Sequence, residues 1–223
     1  MHNTTQQRPT LEYTTVPPQK RRFPVVYIIA AVAFAVCGIA VVLIFHQNTG
    51  NPPKDTDFPD WIQQNFITPN DYSRPGSPIG EITGITVHYV GNPGTTAAQN
   101  RSYFERLSSG VNETYASSHF IIGLDGEIVQ CIPLDEIAYA TIGRNSDTIS
   151  IECCHPDDDG EFNDATYASL LKLVDWLCGK YGLDSGDLLR HYDVTGKECP
   201  RYYVRNPDAW EKFLTDTDNV LAD

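Results

Sequence analysis

The sequence predicts an α+β protein in which helices flank a central mixed β-sheet, with one transmembrane helix before this domain. Short runs rich in β-branched residues are interleaved with amphipathic helical patterns after residue 61. One strong hairpin signal among them adds an antiparallel pair, which indicates a mixed sheet. A long apolar run, Val25–Phe45, precedes all of these elements.

The apolar run predicts a membrane anchor. Its 21 uncharged residues would span about 32 Å as a helix, enough to cross a hydrocarbon core of about 30 Å. A cleaved signal peptide has an apolar region of only about 7–15 residues. The basic residues Lys20, Arg21 and Arg22 favour a cytoplasmic N-terminus. We therefore predict a single-pass protein of the cell membrane, with the following domain extracellular. A lipidated Cys37 and a buried soluble helix are weaker alternatives.

The remaining chain divides by composition. Residues 1–22 predict a disordered cytoplasmic tail, residues 23–45 the anchor, residues 46–60 a linker, and residues 61–223 one domain. From residue 55 onward, 11 basic residues stand against 28 acidic ones, a net charge of −17. Nucleic-acid affinity comes largely from basic side chains that neutralise phosphates, so this charge argues against a nucleic-acid partner.

The first elements of the domain are a strand and a helix. Ile82–Val90 is rich in β-branched residues and predicts a buried strand, and the glycines and proline of residues 91–94 predict the turn that ends it. Thr95 or Thr96 is a helix N-cap residue, followed by apolar residues at helical spacing.

The next elements are a hairpin, a strand and a long helix. Ser118–Leu124 and Glu127–Ile132 flank the dipeptide Asp125-Gly126, which favours a hairpin turn. Thr148–Cys154 predicts another strand. Asp164 begins a helix whose apolar residues recur at helical spacing, and Gly182 is expected to end it.

Two histidines and one cysteine suggest a metal site. His88 lies in the predicted strand I-T-V-H-Y-V, and Cys199 follows His191 by eight residues across a glycine-containing loop. Two imidazoles and a thiolate leave the fourth position of a tetrahedral zinc ion open, as in catalytic zinc sites. A lone strand histidine is more often a hydrogen-bonded core residue, so the combination carries the prediction.

Four motifs together resemble the zinc-dependent N-acetylmuramoyl-L-alanine amidases. This type-2 amidase family includes phage amidase lysozymes and animal peptidoglycan recognition proteins. The motifs occur in the family's order over residues 79–210: I-T-V-H-Y-V, S-S-H-F-I-I-G-L-D-G-E-I-V-Q, I-S-I-E-C-C and R-H-Y-D-V-T-G-K-E-C-P. The resemblance implies that His88, His191 and Cys199 hold one zinc ion per domain.

The resemblance also implies catalytic roles. Glu152 matches a glutamate that some members use for acid/base work, and Lys197 matches the lysine that supports the transition state. Without the resemblance, Glu152 would be interpreted as half of a structural ion pair, and Lys197 as a solvated loop residue. Phage members carry a catalytic tyrosine where this chain has Ser118, so proton transfer is expected to fall to Glu152.

Two further residues are predicted to contact substrate. Asn92 lies in the turn after the first strand, and His119 is the hairpin histidine. For His119, packing within the fold is an equal alternative. His155 is expected at the surface, because Pro156 and three aspartates follow it.

Buried free thiols are expected at the cysteines of the strands and the long helix. A disulfide between Cys131 and either Cys153 or Cys154 is an alternative, since sequence does not determine connectivity.

The resemblance implies a membrane-anchored enzyme that hydrolyses the amide between N-acetylmuramic acid and L-alanine in peptidoglycan, for wall remodelling or lysis, as an autolysin or an endolysin-like enzyme. The alternative is a receptor that binds peptidoglycan without cutting it. Such relatives usually lack the cysteine ligand, whereas Cys199 is present here.

Overall fold

A six-stranded mixed sheet forms the centre of the domain, in a computed structural model that describes residues 58–111 and 113–222. The predicted tail, the predicted anchor and most of the predicted linker lie outside the described residues. Within the described ranges, no helix combines the length and apolar character needed to cross a bilayer.

The strands and helices have the following bounds. The strands are β1 (Ile62–Gln64), β2 (Gly84–Tyr89), β3 (Phe120–Ile122), β4 (Ile128–Gln130), β5 (Thr148–Cys153) and β6 (Leu188–Arg190). The helices are α1 (Ala97–Arg106), α2 (Asp164–Tyr181), α3 (His191–Thr195), α4 (Arg201–Arg205) and α5 (Pro207–Leu221).

The strand order is β1-β4-β3-β5-β2-β6. The β3–β4 hairpin is the antiparallel pair, and the other four neighbouring pairs are parallel. Gly126 takes a positive φ of 80° in the hairpin turn, a conformation that glycine adopts without steric cost. The prediction of a mixed sheet with helices on it is confirmed.

Helices cover both faces of the sheet. On one face Phe120 and Ile151 pack in a core that also contains residues of α2 and α5, among them Leu173 and Phe213. On the other face a smaller core contains Ile121, Val129 and Cys131 from the sheet, with Ala97 and Phe104 from α1. The alternation of side chains along β2 and β5 places His88 and Glu152 on this second face.

Capping residues explain where both predicted helices of the domain begin and where the second one ends. The Thr96 hydroxyl accepts a hydrogen bond from the Gln99 backbone N–H, and the Gln99 side chain accepts one from the Thr96 N–H. This reciprocal capping box starts α1. The Asn163 side chain caps α2, and Gly182 ends it with a positive φ of 68°.

His155 corrects a sequence prediction. Its side chain is buried, not at the surface, and its Nδ1–H donates to the Asp157 carbonyl at 2.7 Å. The Gly94 N–H donates to the His155 carbonyl at 2.9 Å, and the imidazole lies against the Tyr89 ring with centroids 5.1 Å apart. The acidic segment thus turns back over the histidine.

The cysteines of the strands and the long helix are buried free thiols, as predicted: Cys131, Cys153, Cys154 and Cys178. Cys199, the predicted metal ligand, is also buried and forms no disulfide. Cys37 lies outside the described residues.

Candidate metal centre

The sheet register places His88 and Glu152 side by side. β2 and β5 are parallel neighbours, and His88 pairs with Glu152 in their register. Residues paired in adjacent strands point to the same face, which here is the face that carries α1. Side chains alternate between the two faces along each strand. Val87 and Ile151 therefore point into the core on the opposite face, and His88 and Glu152 lie together on this one.

His191 joins His88 from the neighbouring strand. β6 pairs with β2 up to Val87 and Arg190, and His191 is the next residue, at the start of α3. The Nδ1 atoms of His88 and His191 are 3.1 Å apart, and the ring planes meet at 69°.

Cys199 returns to the two histidines because α3 is short. Gly196 ends α3 with a positive φ of 77°, and the chain reverses there. The Tyr192 N–H then donates to the Cys199 carbonyl at 3.0 Å. This leaves the Cys199 Sγ atom 3.7 Å from His88 Nδ1.

The three side chains form a compact, buried donor set. One ligand atom from each of His88, His191 and Cys199 lies within 4.8 Å of the others. A tetrahedral zinc ion with usual bond lengths separates two nitrogens by about 3.3 Å and a nitrogen from a sulfur by about 3.6 Å. The observed 3.1 Å and 3.7 Å agree with this geometry. The residues present therefore fit a zinc ion.

Burial shifts the pKa values of the three donor side chains and so determines their protonation states. It lowers the pKa of His88 well below its ordinary value, and the nearby charges of His191 and Lys197 act in the same direction. Burial also lowers the pKa of His191 to about 4 and raises the pKa of the Cys199 thiol to about 12. Both imidazoles are therefore neutral at neutral pH and offer a lone pair. The thiol must lose a proton to bind a metal ion.

Thr141 contacts the ring nitrogen of His88 that is not part of the donor set, a role that the sequence did not predict. The buried Thr141 hydroxyl lies 3.0 Å from His88 Nε2. A proton on Nε2, donated to this hydroxyl, leaves the Nδ1 lone pair facing His191 and Cys199. Partners of this kind fix the tautomer and orientation of metal-binding histidines. The Asn145 side chain positions the loop by accepting hydrogen bonds from two backbone N–H groups, one of them that of Thr141. Because Thr141 reaches His88 through the conformation of this loop, its position along the chain does not predict the contact.

Glu152 carries an unpaired carboxylate oxygen beside the donor set. Its Oε2 atom is shielded from solvent and has no hydrogen-bond partner. Burial raises the pKa of Glu152 to about 8, against the opposing influence of the Lys197 charge. Within the described residues Glu152 forms no ion pair, so the structure does not support the alternative of a structural ion pair. Unpaired buried polar groups with displaced pKa values are typical of functional sites.

Lys197 is exposed, and its positive charge reaches the whole cluster. It acts on the pKa values of four side chains, His88, Glu152, His191 and Cys199. The exposed lysine therefore lies close enough to act electrostatically on all four side chains.

Ser118 and His119 both belong to the fold, and His119 corrects a prediction. The Ser118 hydroxyl lies 2.9 Å from the carbonyl oxygens of Phe120 and Ser150. His119 is fully buried, with Nδ1 3.0 Å from the Ser150 hydroxyl and Nε2 3.0 Å from the Glu136 carbonyl. Neither ring nitrogen is free for a substrate, so the packing alternative for His119 holds. Asn92, by contrast, is exposed and lines an open groove.

Comparisons with known proteins give a consistent result. A family model described as N-acetylmuramoyl-L-alanine amidase matches residues 78–202. The N-acetylmuramoyl-L-alanine amidase CwlL of Bacillus licheniformis is 31% identical over 173 residues, covering 72% of this chain and 48% of the relative. The chain thus spans about half the length of the curated relatives it matches.

Solved structures show the same fold. The catalytic domain of XlyA, from Bacillus subtilis, superposes with a TM-score of 0.58 at 30% identity, covering 69% of this chain and 98% of that domain. A mutant endolysin from Bacillus subtilis gives the same score and identity, with 69% and 97% covered.

Proposed function

The chain belongs to the N-acetylmuramoyl-L-alanine amidase family, and from this we propose that it hydrolyses the amide between N-acetylmuramic acid and L-alanine in peptidoglycan. The observation that carries the proposal is the convergence of His88, His191 and Cys199 beside the unpaired carboxylate of Glu152. A hydrolase needs an electrophilic centre and a base within reach of the same water molecule, and this arrangement offers both.

We propose that His88, His191 and Cys199 hold a zinc ion. Two nitrogens and one sulfur complete three of four tetrahedral positions and leave the fourth for substrate or water. A zinc ion bound there would polarise the scissile carbonyl and lower the pKa of water toward about 7. Thr141 would keep the His88 ring oriented for this role.

Glu152 is assigned the proton transfers. Its carboxylate accepts a proton from the attacking water and returns it to the leaving amine of L-alanine. Burial raises the pKa of Glu152 in the metal-free protein, and a carboxyl group whose pKa lies nearer neutrality is a stronger base that can accept a proton and then release it. Lys197 stabilises the negative charge that develops on the carbonyl oxygen. Ser118 takes no part, since its hydroxyl contacts backbone carbonyls.

Removal of the metal tests this assignment. Treatment with a zinc chelator should abolish the release of new amino groups from peptidoglycan, and added zinc should restore it, because Glu152 alone cannot polarise the carbonyl. Elemental analysis of the untreated protein should give one zinc per chain. Full activity in a protein shown to contain no metal would contradict the assignment.

We propose that residues 25–45 anchor the enzyme in the cell membrane, with the N-terminus cytoplasmic and the domain outside. The proposal rests on the length of the uncharged run and on the basic residues that precede it. An extracellular domain would face the peptidoglycan directly.

The anchor has its own test. The full chain should partition with membranes, whereas a chain that begins at Pro53 should be soluble and equally active. Protease added to intact cells whose wall has been removed should digest the domain of the full chain. Protection of the domain until the membrane is lysed would reverse the orientation.

A further inference from the structure

Arg190 is a largely buried arginine on the side of the sheet away from the metal centre. It is the last residue of β6, directly before His191, and it pairs with Val87 of β2. Paired residues of adjacent strands point to the same face, so the Arg190 side chain lies with Val87 on the face opposite the metal centre. Only 16% of this side chain is exposed. Arg190 therefore does not reach a substrate at the metal centre.

The Arg190 guanidinium group joins the two ends of the segment that carries His191 and Cys199. At the near end Nη2 donates to Oδ1 of Asp193 at 2.7 Å, and Nε donates to Oδ2 of the same carboxylate at 3.0 Å. At the far end Nη1 donates to the Tyr203 carbonyl at 3.0 Å. Two of the three donor residues thus lie on a stretch of chain that one side chain closes into a loop.

The Tyr203 carbonyl depends on a donor from outside its own helix. The last carbonyls of a helix have no partner within it, and α4 ends at Arg205. The residue four positions after Tyr203 is Pro207, which has no backbone N–H to donate. The Arg190 guanidinium group fills this role, and it also lies 5.4 Å from the centre of the Trp210 ring on α5. Arg190 therefore connects the start of α3 to both α4 and α5.

The ordinary role of the Arg190–Asp193 pair is local. Oppositely charged residues three positions apart support a helix slightly, and exposed ion pairs contribute little to stability. The Asp193 carboxylate also accepts the Arg190 backbone N–H at 2.8 Å, which caps the start of α3. These roles account for the contacts at α3. They do not require a bond to Tyr203, which is 13 positions along the chain and beyond Cys199.

We propose that Arg190 and Asp193 are positioning residues that hold the segment from His191 to Cys199 in the conformation that binds zinc. This inference rests on the proposed zinc site. Ligands on a loose segment must be ordered when the ion binds, and the lost conformational entropy lowers the affinity. A segment fastened at both ends keeps the donor separations of 3.1 Å and 3.7 Å from His88 Nδ1 with little such loss.

The zinc affinity of the full chain tests the proposal. Arg190→Gln removes the charge and the bond to Tyr203, and it should weaken zinc binding about 10–100-fold, as expected when a group that orients metal ligands is lost. Arg190→Lys keeps the charge without the forked geometry and should lie between this variant and the parent. Excess zinc should restore the parental kcat in both, and KM should not change, because Arg190 does not reach the substrate. The measurements are competition for zinc with a fluorescent chelator, and kcat and KM at saturating zinc.

Asp193→Asn tests the other half of the pair. It keeps the arginine and the size of the side chain, and it loses the charge that both guanidinium nitrogens contact. It should weaken zinc binding in the same way. Residues that act as one unit have non-additive effects, so the double variant with Arg190→Gln should bind zinc little more weakly than either single variant.

Arg74→Gln is the matched control for a loss of stability alone. Arg74 makes the same kinds of contact as Arg190: two hydrogen bonds to the Glu136 carboxylate, one to the Ile67 carbonyl, and a ring, that of Phe66, 5.4 Å away. The segments that it joins carry none of the proposed zinc ligands. The control should lower the melting temperature and leave zinc affinity unchanged, because a contact that contributes equally with and without the metal does not alter binding.

An unchanged zinc dissociation constant in Asp193→Asn would overturn the proposal, whether or not Arg190→Gln folds. So would a loss of zinc affinity in Arg74→Gln equal to that in Arg190→Gln, since the effect would then be one of general stability. Failure of the proposed zinc site would look different, because the parent chain itself would then bind no zinc.

Discussion

Glu152→Gln should lower kcat roughly 10²–10⁴-fold, the range expected when a positioned acid/base group is removed. Glutamine keeps the size of the side chain and loses the basic oxygen that accepts the proton. Zinc content should not change, since Glu152 is outside the donor set formed by His88, His191 and Cys199. The measurement is single-turnover cleavage of a soluble muramyl peptide, with metal analysis of the same preparation.

The same variant should be more stable than the parent when both are free of metal. Burial raises the folded pKa of Glu152 from its ordinary 4.5 to about 8. Between these values the folded protein holds a proton that the unfolded chain has released, so the parent loses stability as pH rises through this window. Glutamine has no such proton. Glu152→Gln should therefore gain about 1–3 kcal/mol in free energy of unfolding at pH 8, and nothing below pH 4.

Loss of activity together with gain of stability distinguishes a functional carboxylate from a structural one. A structural ion pair would give the opposite result, because the substitution would leave a buried cation unpaired and cost about 3–5 kcal/mol. Glu81→Gln is the matched control, since Glu81 is exposed, and it should change neither kcat nor stability. A folded Glu152→Gln protein that cleaves at the parental rate would remove Glu152 from the mechanism.

Cys199→Ser should lose bound zinc and activity together. A serine hydroxyl does not ionise as a thiol does and is a poor zinc ligand. Loss of the metal removes several kcal/mol of transition-state stabilisation, so kcat/KM should fall by more than about 10³-fold. Circular dichroism should show that the fold persists. The experiment compares zinc content and kcat/KM in one preparation.

Two further variants are to be compared with Cys199→Ser. Cys178→Ser changes a buried thiol of α2 in the core on the other face of the sheet, and it should keep both zinc and activity. Thr141→Val removes the hydroxyl behind His88 and should weaken zinc affinity about 10–100-fold without abolishing it. Retention of zinc and activity in Cys199→Ser would show that the ligand set is wrong.

Sequence reasoning predicted the elements that have strong local signals. Asp125-Gly126 marked the hairpin, Gly182 ended α2, and a threonine cap started α1. The signals for α5 were also present and were missed. Pro207 occupies its first position, and Trp210, Phe213 and Thr217 recur on its buried side.

The strands β1 and β6 could not be predicted from local patterns. Each has three residues and forms by parallel pairing with a strand distant in sequence. β6 is nevertheless the element that delivers His191 to His88. The sequence therefore indicated which side chains could bind a metal, whereas the register that brings them together depends on long-range pairing.

The two histidine errors have the same origin. Pro156 and the aspartates after His155 are surface-type residues, yet the chain there folds back against Tyr89. At His119, the partners are a hydroxyl 31 positions away and a carbonyl 17 positions away. Whether a polar side chain is satisfied within the fold depends on such distant groups, which spacing along the chain does not reveal.

Mass spectrometry of purified peptidoglycan digested by the zinc-loaded protein tests the central claim most directly, because it identifies the bond that is cut. The account predicts stem peptides with a free L-alanine amino terminus, and glycan strands whose N-acetylmuramic acid carries a free lactyl carboxylate. Cleavage within the glycan or between two stem residues would contradict it. So would a zinc-loaded protein that binds peptidoglycan and releases no peptide, which is the behaviour of a receptor.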